Sequence, residues 1–168
     1  MPQFFDAPKS VETIVYIAQK THDLFHVVKT LYYADKFHLK NYGRLITGDH
    51  YVAMDEGPVP SGAYDLIKEV RGDGVVKSGA RPEQAFKVEK HINVIPRRKP
   101  NLDYLSESDI EALDKAIGIY ARMDFGRLWR IAHNERPYQD AAHNASISLV
   151  SIIKSLPNAD EVLEYLSS

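Results

Sequence analysis

The chain has 168 residues, of which 44% are hydrophobic and 26% are charged, and its formal net charge is −2. This length favours one domain, and the composition is that of a globular protein, which excludes extensive disorder. The absence of cysteine excludes disulfides, thiol nucleophiles and zinc–thiolate sites.

Apolar residues at helical spacing predict two helices near the N-terminus. The first spans about 11–20, with Ser10 as its N-cap. The second spans about 24–42 and is apolar on nearly all sides, with Asp23 placed to cap its start and Gly43 placed to cap its end. A helix that is apolar all round is usually buried, so this one is expected at the centre of the fold.

Short apolar runs and turn residues predict β structure in the middle of the chain. Residues 44–54 are expected to form a strand or hairpin, and the two prolines of 57–60 bias that segment to extended geometry. Ser61 is expected to cap a helix that ends at Gly72, and 73–83 to form a polar loop.

Alternating apolar residues predict a second strand or hairpin over about 85–95, which a stiff basic connector follows at 96–100. The basic side chains of residues 87–99 could contact phosphate, although no aromatic residues alternate with them and no helix-turn-helix is evident. A DNA-binding regulator therefore stays an alternative that the sequence does not favour. The basic side chains in question are Lys87, Lys90, Arg97, Arg98 and Lys99.

The remainder of the chain predicts helices. Residues 106–109 resemble a capping box, and Asp124 is placed to cap a further short helix. A loop is expected over 134–145, a helix over 147–156, and a last acidic helix after Asn158. The predicted fold class is mainly α (α+β), a single compact helical domain over 1–168 with a small antiparallel sheet or hairpin in the middle.

Two pairs of residues, one of two histidines and one of an aspartate and a histidine, offer chemical interpretations that the sequence does not favour. His22 and His26 have the spacing of a zinc-binding helix, but Asp23 as a cap leaves His22 outside the helix and no third ligand is evident. Asp35 and His38 have the spacing of an acid–base pair. A buried His38 that is hydrogen-bonded to a neighbour and joins its helix to the Tyr51–Val52 strand is the preferred interpretation.

His133 is similarly expected to bond carbonyl groups at the end of a helix. Nucleophile-elbow, phosphate-loop and dinucleotide-binding motifs are absent from the sequence. We therefore expect no enzyme, no catalytic residue, no metal and no cofactor. The N-terminus lacks a basic segment followed by an apolar run, and no stretch is long enough to span a bilayer, so a cytoplasmic protein without a membrane partner is expected.

Three segments of the chain carry motifs in a fixed order. The first has KTLYYADKFHL at 29–39 and YGR at 42–44; the second has ITGD at 46–49, YVAM at 51–54, GPVPS at 57–61 and YD at 64–65; the third has LS at 105–106, LW at 128–129, HNE at 133–135 and PY at 137–138. Together they resemble the Panacea domain, the SocA-like antitoxin module of bacterial toxin–antitoxin pairs, over about 10–155. In the third segment, Ala132 and Tyr138 replace residues that are commonly Thr and Trp in that family.

This resemblance implies an antitoxin of bacterial or prophage origin that binds and neutralises a cognate toxin by direct contact. An adaptor that delivers its toxin to a protease is the alternative that the resemblance also implies. Tyrosines are concentrated around the two best-matching segments, and tyrosine is enriched at binding hot spots, although at least half of these tyrosines are expected to pack in the core. The acidic C-terminal helix is a further candidate surface. The candidate partner-binding residues are Tyr33, Asp35, His38, Tyr42, Arg44, Tyr51, Met54, Pro58, Val59, Pro60 and Tyr64.

Overall fold

The central element of the computed structural model, which describes residues 4–168, is the long helix α2 at Leu24–Tyr42. The Asp23 carboxylate accepts a hydrogen bond from the backbone N–H of His26 and caps its start, and Gly43 ends it in the left-handed conformation with φ 72°. The predicted bounds and both caps are confirmed. Other elements cover α2 along its length, which explains why its apolar residues extend around nearly the whole helix.

The first helix, α1, spans Ala7–Ala18 and begins four residues before the predicted start. The prediction that Ser10 caps it is wrong, because the Asp6 carboxylate accepts from the backbone N–H of Lys9 and Pro8 fits the first turn, where its missing N–H costs nothing. Ser10 is instead buried inside the helix.

A small antiparallel sheet has the strand order β2-β1-β5. Its strands are β1 at Tyr51–Met54, β2 at Gly57–Pro60 and β5 at Ser146–Ile147. β1 and β2 form a tight hairpin in which Met54 pairs with Gly57, and Tyr51 also pairs with Ile147 of β5. Of the strand or hairpin predicted over 44–54, the last four residues form a strand. In the preceding segment, side chains such as Asp35 accept hydrogen bonds from backbone N–H groups.

Helix α3 spans Ser61–Arg71 and ends, as predicted, at Gly72. The prediction that Ser61 is its N-cap is wrong, because Pro60 occupies that position and offers no side-chain acceptor. Asp49, which is distant in sequence, accepts from the backbone N–H groups of Gly62 (2.8 Å) and Ala63 (2.9 Å) and replaces the missing cap.

The predicted hairpin over 85–95 is confirmed as β3 at Phe86–Glu89 paired with β4 at Asn93–Pro96. Lys90 and His91 in its turn have positive φ values of 52° and 69°. The carbonyl of the next residue, Ile92, accepts from the backbone N–H of Leu24 at 2.8 Å, so the turn is fixed to the start of α2. Short 3₁₀ turns occur at Pro82–Gln84 and Leu102–Tyr104.

Helix α4 at Glu107–Tyr120 packs along α2 and begins with the predicted capping box. Helix α5 at Phe125–His133 begins with the predicted Asp124 cap. The loop predicted over 134–145 contains a five-residue helix, α6 at Arg136–Asp140, because Pro137 stands in a first turn, where proline favours a helix.

The last two helices differ from the prediction at their starts. Helix α7 spans Leu149–Lys154 with Ser148 as its cap, because Ile147 is drawn into the sheet beside β1. Helix α8 spans Ala159–Ser167, but Asn158 does not cap it through its side chain, which donates instead to the carbonyl of Lys40 at 2.9 Å.

The fold class is thus the predicted one, mainly α with a small antiparallel sheet. Within residues 4–168, no helix combines the length and the apolar character needed to cross a bilayer.

Candidate partner-binding groove

An open apolar groove of about 550 Å³ lies where the start of α2 meets the β1–β2 turn, α3, the β3–β4 turn and the start of α5. Its walls are mainly aliphatic and aromatic. The apolar lining consists of Leu24, Phe25, Val28, Met54, Val59, Tyr64, Ile92 and Phe125. Because five elements meet there, residues far apart in the sequence form one surface.

Two apolar side chains of the groove, Phe125 and Ile92, are exposed to solvent. Phe125 is 52% exposed at the first position of α5, and its ring lies 4.7 Å from that of Phe25. Ile92 is also 52% exposed, and it follows Lys90 and His91, whose left-handed conformations cost about 1 kcal/mol each for residues other than glycine. Exposed apolar side chains grouped in this way mark interaction sites more often than scattered ones do.

The turn between β1 and β2 adds an acidic tip, formed by Asp55 and Glu56, at the border of the groove. The Asp55 side chain is 84% exposed, and one of its oxygens lies 3.1 Å from Nε2 of the exposed His143. The Glu56 side chain forms no hydrogen bond or ion pair with any of residues 4–168, although its negative charge acts on Lys29. The backbone of the tip is fixed, because Nε2 of His133 lies 2.7 Å from the carbonyl oxygen of Asp55.

Lys29, a fully buried residue of α2, anchors the hairpin from below. Its Nζ donates to the carbonyl of Pro58 at 2.8 Å and lies 5.3 Å from the ring centroid of Phe25. Burial lowers the pKa of Lys29 to about 7, against the opposing effect of the negative charge of Glu56. Gly57 passes so close that an added Cβ would lie 3.3 Å from Cε of Lys29.

Of the predicted partner-binding residues, three line the groove and two lie at the other end of α2. Met54, Val59 and Tyr64 belong to the groove. Tyr42 and Arg44 lie at the C-terminal end of α2, about 25 Å from Phe25 at the helical rise of 1.5 Å per residue. The structure therefore separates the predicted single surface into two.

The surface at the far end of α2 is polar and involves the acidic C-terminal helix. The Tyr42 hydroxyl donates to the Glu111 carboxylate, and Nη2 of Arg44 lies 3.0 Å from Oδ1 of Asp109. A recess of about 380 Å³ separates this end from α8, and Gly43 lies at a point where Tyr165 of α8 leaves no space for a Cβ.

The other six predicted residues are buried, so they shape the surfaces from within. Asp35 accepts from the Tyr51 hydroxyl at 2.6 Å and from the backbone N–H of Ile46 at 2.8 Å, and burial raises its pKa to about 7. Tyr33 stacks on Tyr120 with 4.0 Å between the ring centroids. Buried with them are His38, Pro58 and Pro60.

His38 is structural in this arrangement, and it does not pair with Asp35. Its Nδ1 lies 2.8 Å from the carbonyl oxygen of Arg44 and its Nε2 lies 2.8 Å from Oγ of Ser108. Burial lowers the pKa of His38, which favours the neutral ring. The prediction that His38 joins α2 to the Tyr51–Val52 strand is wrong, because it joins α2 to the following loop and to α4, while Asp35 makes the contact with that strand.

Two further histidines, His26 and His133, have protein partners. His26 lies between the Asp23 carboxylate (2.7 Å) and the carbonyl of Met123 (2.6 Å), and His22 is exposed outside the helix. His133 lies 2.7 Å from the carbonyl of Trp129, which agrees with the predicted contact to helix carbonyls. Across residues 4–168, no three His, Asp or Glu side chains are grouped so that they could hold a metal ion.

Two of the five predicted phosphate-contacting cations already have carboxylate partners. Arg98 forms a pair of hydrogen bonds with Glu12, and Lys87 lies 2.9 Å from Glu89. These pairs reduce the positive charge that the basic side chains of residues 87–99 offer to a polyanion.

Sequence reasoning missed Phe25, Ile92 and Phe125 as surface residues, and it missed Lys29 as the anchor of the hairpin. A lysine in the middle of an otherwise apolar helix was the available signal for Lys29. Nothing in the local sequence could show that the three apolar residues meet at one groove.

Comparison with known proteins agrees with the motifs. The family model described as "Antitoxin SocA-like, Panacea domain" matches residues 27–139, which is more than half of the chain and includes all three motif segments. No curated protein and no solved structure matches the chain. On the strength of the family match, this chain belongs to the SocA-like, Panacea-domain antitoxin family.

Proposed function

We propose that the protein is an antitoxin that binds and neutralises a cognate toxin by direct contact, and that the toxin docks at the apolar groove. The observation that supports this site is the exposure of Phe125 and Ile92, which both line the same apolar groove. The mechanism is recognition without a catalytic step, a metal or a cofactor, in the cytoplasm of a bacterium or prophage host.

The groove is built to bind with little ordering cost. The two prolines of β2 have fixed φ values, and Lys29 and His133 hold the β1–β2 turn from two directions. Side chains and loops that are already ordered lose little entropy on association, and this raises affinity for a given contact area.

The groove alone is smaller than a stable interface, which usually buries about 800 Å² on each partner. Trp129 is 39% exposed and lies four residues after Phe125, on the same side of α5. It stacks on His133, which contacts the acidic tip. The docking surface therefore extends from Tyr64 through the groove to Trp129.

A second candidate function is an adaptor that delivers the toxin to a protease. The observation that favours it is the separation of the two recesses by about the length of α2, since one chain could then hold two proteins at once. In that case the polar recess beside Tyr42 and α8 would receive the protease.

Co-expression tests this proposal. The open reading frame beside the gene is induced alone and then together with this protein, while growth, toxin level and complex formation are followed. Growth arrest that is relieved while the two proteins co-purify at an unchanged toxin level supports direct neutralisation. A falling toxin level that depends on a host protease supports the adaptor. A harmless neighbour, or rescue without any complex, contradicts both.

A further inference from the structure

We propose that the groove receives a toxin segment whose apolar side chains are flanked by an arginine or lysine, and that this cation contacts Asp55 and Glu56. The inference rests on the proposed function, because it specifies the partner of the same groove. It follows from the combination of an apolar floor with a negatively charged tip on its border.

The charges around the groove are unbalanced. The carboxylates among the lining residues are Asp23, Asp55 and Glu56, whereas the exposed basic group among them is the imidazole of His143. Asp23 is engaged by His26 and by the start of α2. Asp55 and Glu56 are therefore the groups that remain available to a partner.

Nearby cations do not neutralise this tip. Lys29 lies beneath it, but its Nζ is buried and burial disfavours its charged form. At the Tyr64 end of the groove, two cations already have carboxylate partners. Nζ of Lys68 lies 3.3 Å from Oδ1 of Asp65, and Nη2 of Arg71 lies 2.8 Å from Oδ2 of Asp73. An acidic partner segment would face the carboxylates of Glu56 and of Asp55, which has the exposed His143 beside it, whereas a basic segment would gain charge-assisted hydrogen bonds.

The aromatic rings explain why a basic residue fits here better than an isolated ion. An arginine or lysine has an apolar stem that packs on apolar surface while its charged end stays in a polar environment. Phe25 and Phe125 supply such a surface, and an arginine can also stack on an aromatic face. A segment with apolar residues next to a cation therefore matches both parts of the site.

Charge reversal at the tip tests the inference directly. Asp55→Lys changes the charge by two units. The Asp55 side chain is exposed and pairs with the exposed His143, so the fold is expected to persist. Glu83→Lys, at an exposed position outside the groove, makes the same charge change and serves as the control. The ligand is the protein encoded by the adjacent open reading frame, and its affinity is measured by calorimetry at 50 and 300 mM salt.

We expect Asp55→Lys to weaken binding about tenfold or more at low salt, and Glu83→Lys to change it less than threefold. The wild-type affinity should fall with salt more steeply than that of Asp55→Lys. If Asp55→Lys disturbs folding, the double variant Asp55→Asn with Glu56→Gln removes the charges with little change of shape.

Two outcomes separate this inference from the proposed function. A wild-type complex whose affinity is unchanged by the tip variants overturns the inference and leaves direct neutralisation standing. The absence of any wild-type complex overturns the proposed function, and the inference falls with it. Binding of 15-residue peptides that tile the neighbouring protein gives an independent check, because the bound peptides should combine apolar residues with Arg or Lys.

Discussion

Replacement of the buried Lys29 by methionine should abolish a rise in stability between pH 7.5 and 9. Burial lowers the pKa of Lys29 to about 7, whereas the amine in the unfolded chain has the ordinary value of 10.5. Between these values the unfolded state binds a proton that the native state lacks, so the free energy of unfolding increases with pH by about 1.4 kcal/mol per unit. Over this interval the contribution is about 2 kcal/mol.

The assay is urea unfolding of the wild type and Lys29→Met at the two pH values. Lys20→Met, at an exposed lysine, removes the same formal charge and should keep the wild-type pH dependence. All three proteins share the same tyrosines and carboxylates, so the difference between their slopes isolates Lys29. Equal slopes in the wild type and Lys29→Met would mean that Glu56 keeps the amine protonated, which would refute the reasoning about burial.

Three other predictions concern stability. Gly43→Ala should destabilise the protein by more than about 1 kcal/mol, because φ of Gly43 is 72° and an added Cβ would lie 2.6 Å from the Tyr165 ring. Gly118→Ala, in an open position of α4, should stabilise the protein by about 1 kcal/mol. Thermal unfolding that ranks the two variants in the opposite order would contradict this prediction. Asp109→Asn should cost about 2 kcal/mol at pH 7 in urea unfolding, and less in acid, because, against the opposing effect of burial, Lys9 and Ser106 lower the pKa of this carboxyl. An equal cost at pH 3 would argue against ion pairing. His38→Ala should cost about 2 kcal/mol, because the buried ring loses its hydrogen bonds to the carbonyl oxygen of Arg44 and to Ser108, although Ser108 keeps Ser106 as a partner. An unchanged stability with lost neutralisation would indicate a chemical role.

Local sequence signals predicted the elements whose boundaries depend on neighbouring residues. The helix at Leu24–Tyr42 begins at an Asp cap and ends at a glycine with positive φ, and both signals lie within a few residues of the boundary. The capping box of α4 and the hairpin at Phe86–Pro96 depend on similarly short-range patterns. Such features need no knowledge of the tertiary structure.

Features that depend on distant residues were missed. Asp49 caps α3 from twelve residues before its start, and Ile147 joins β1 after a separation of almost a hundred residues. The groove has the same origin, since Phe25, Ile92 and Phe125 come from three separate regions of the chain. The motifs indicated the family, but seven of the eleven candidate residues that they suggested are buried, because a residue typical of a family often maintains the fold.

The central claim, direct contact of a toxin with the groove, is tested most directly by the affinity of purified proteins. Calorimetry would compare the wild type, Ile92→Ser and Leu102→Ser against the protein encoded by the adjacent open reading frame. Ile92 and Leu102 are both 52% exposed, but only Ile92 lines the groove. The account predicts a stoichiometric complex that Ile92→Ser weakens about tenfold, as expected from the apolar area lost, and that Leu102→Ser leaves unchanged. Equal affinities for all three proteins, or the absence of a complex, would contradict it.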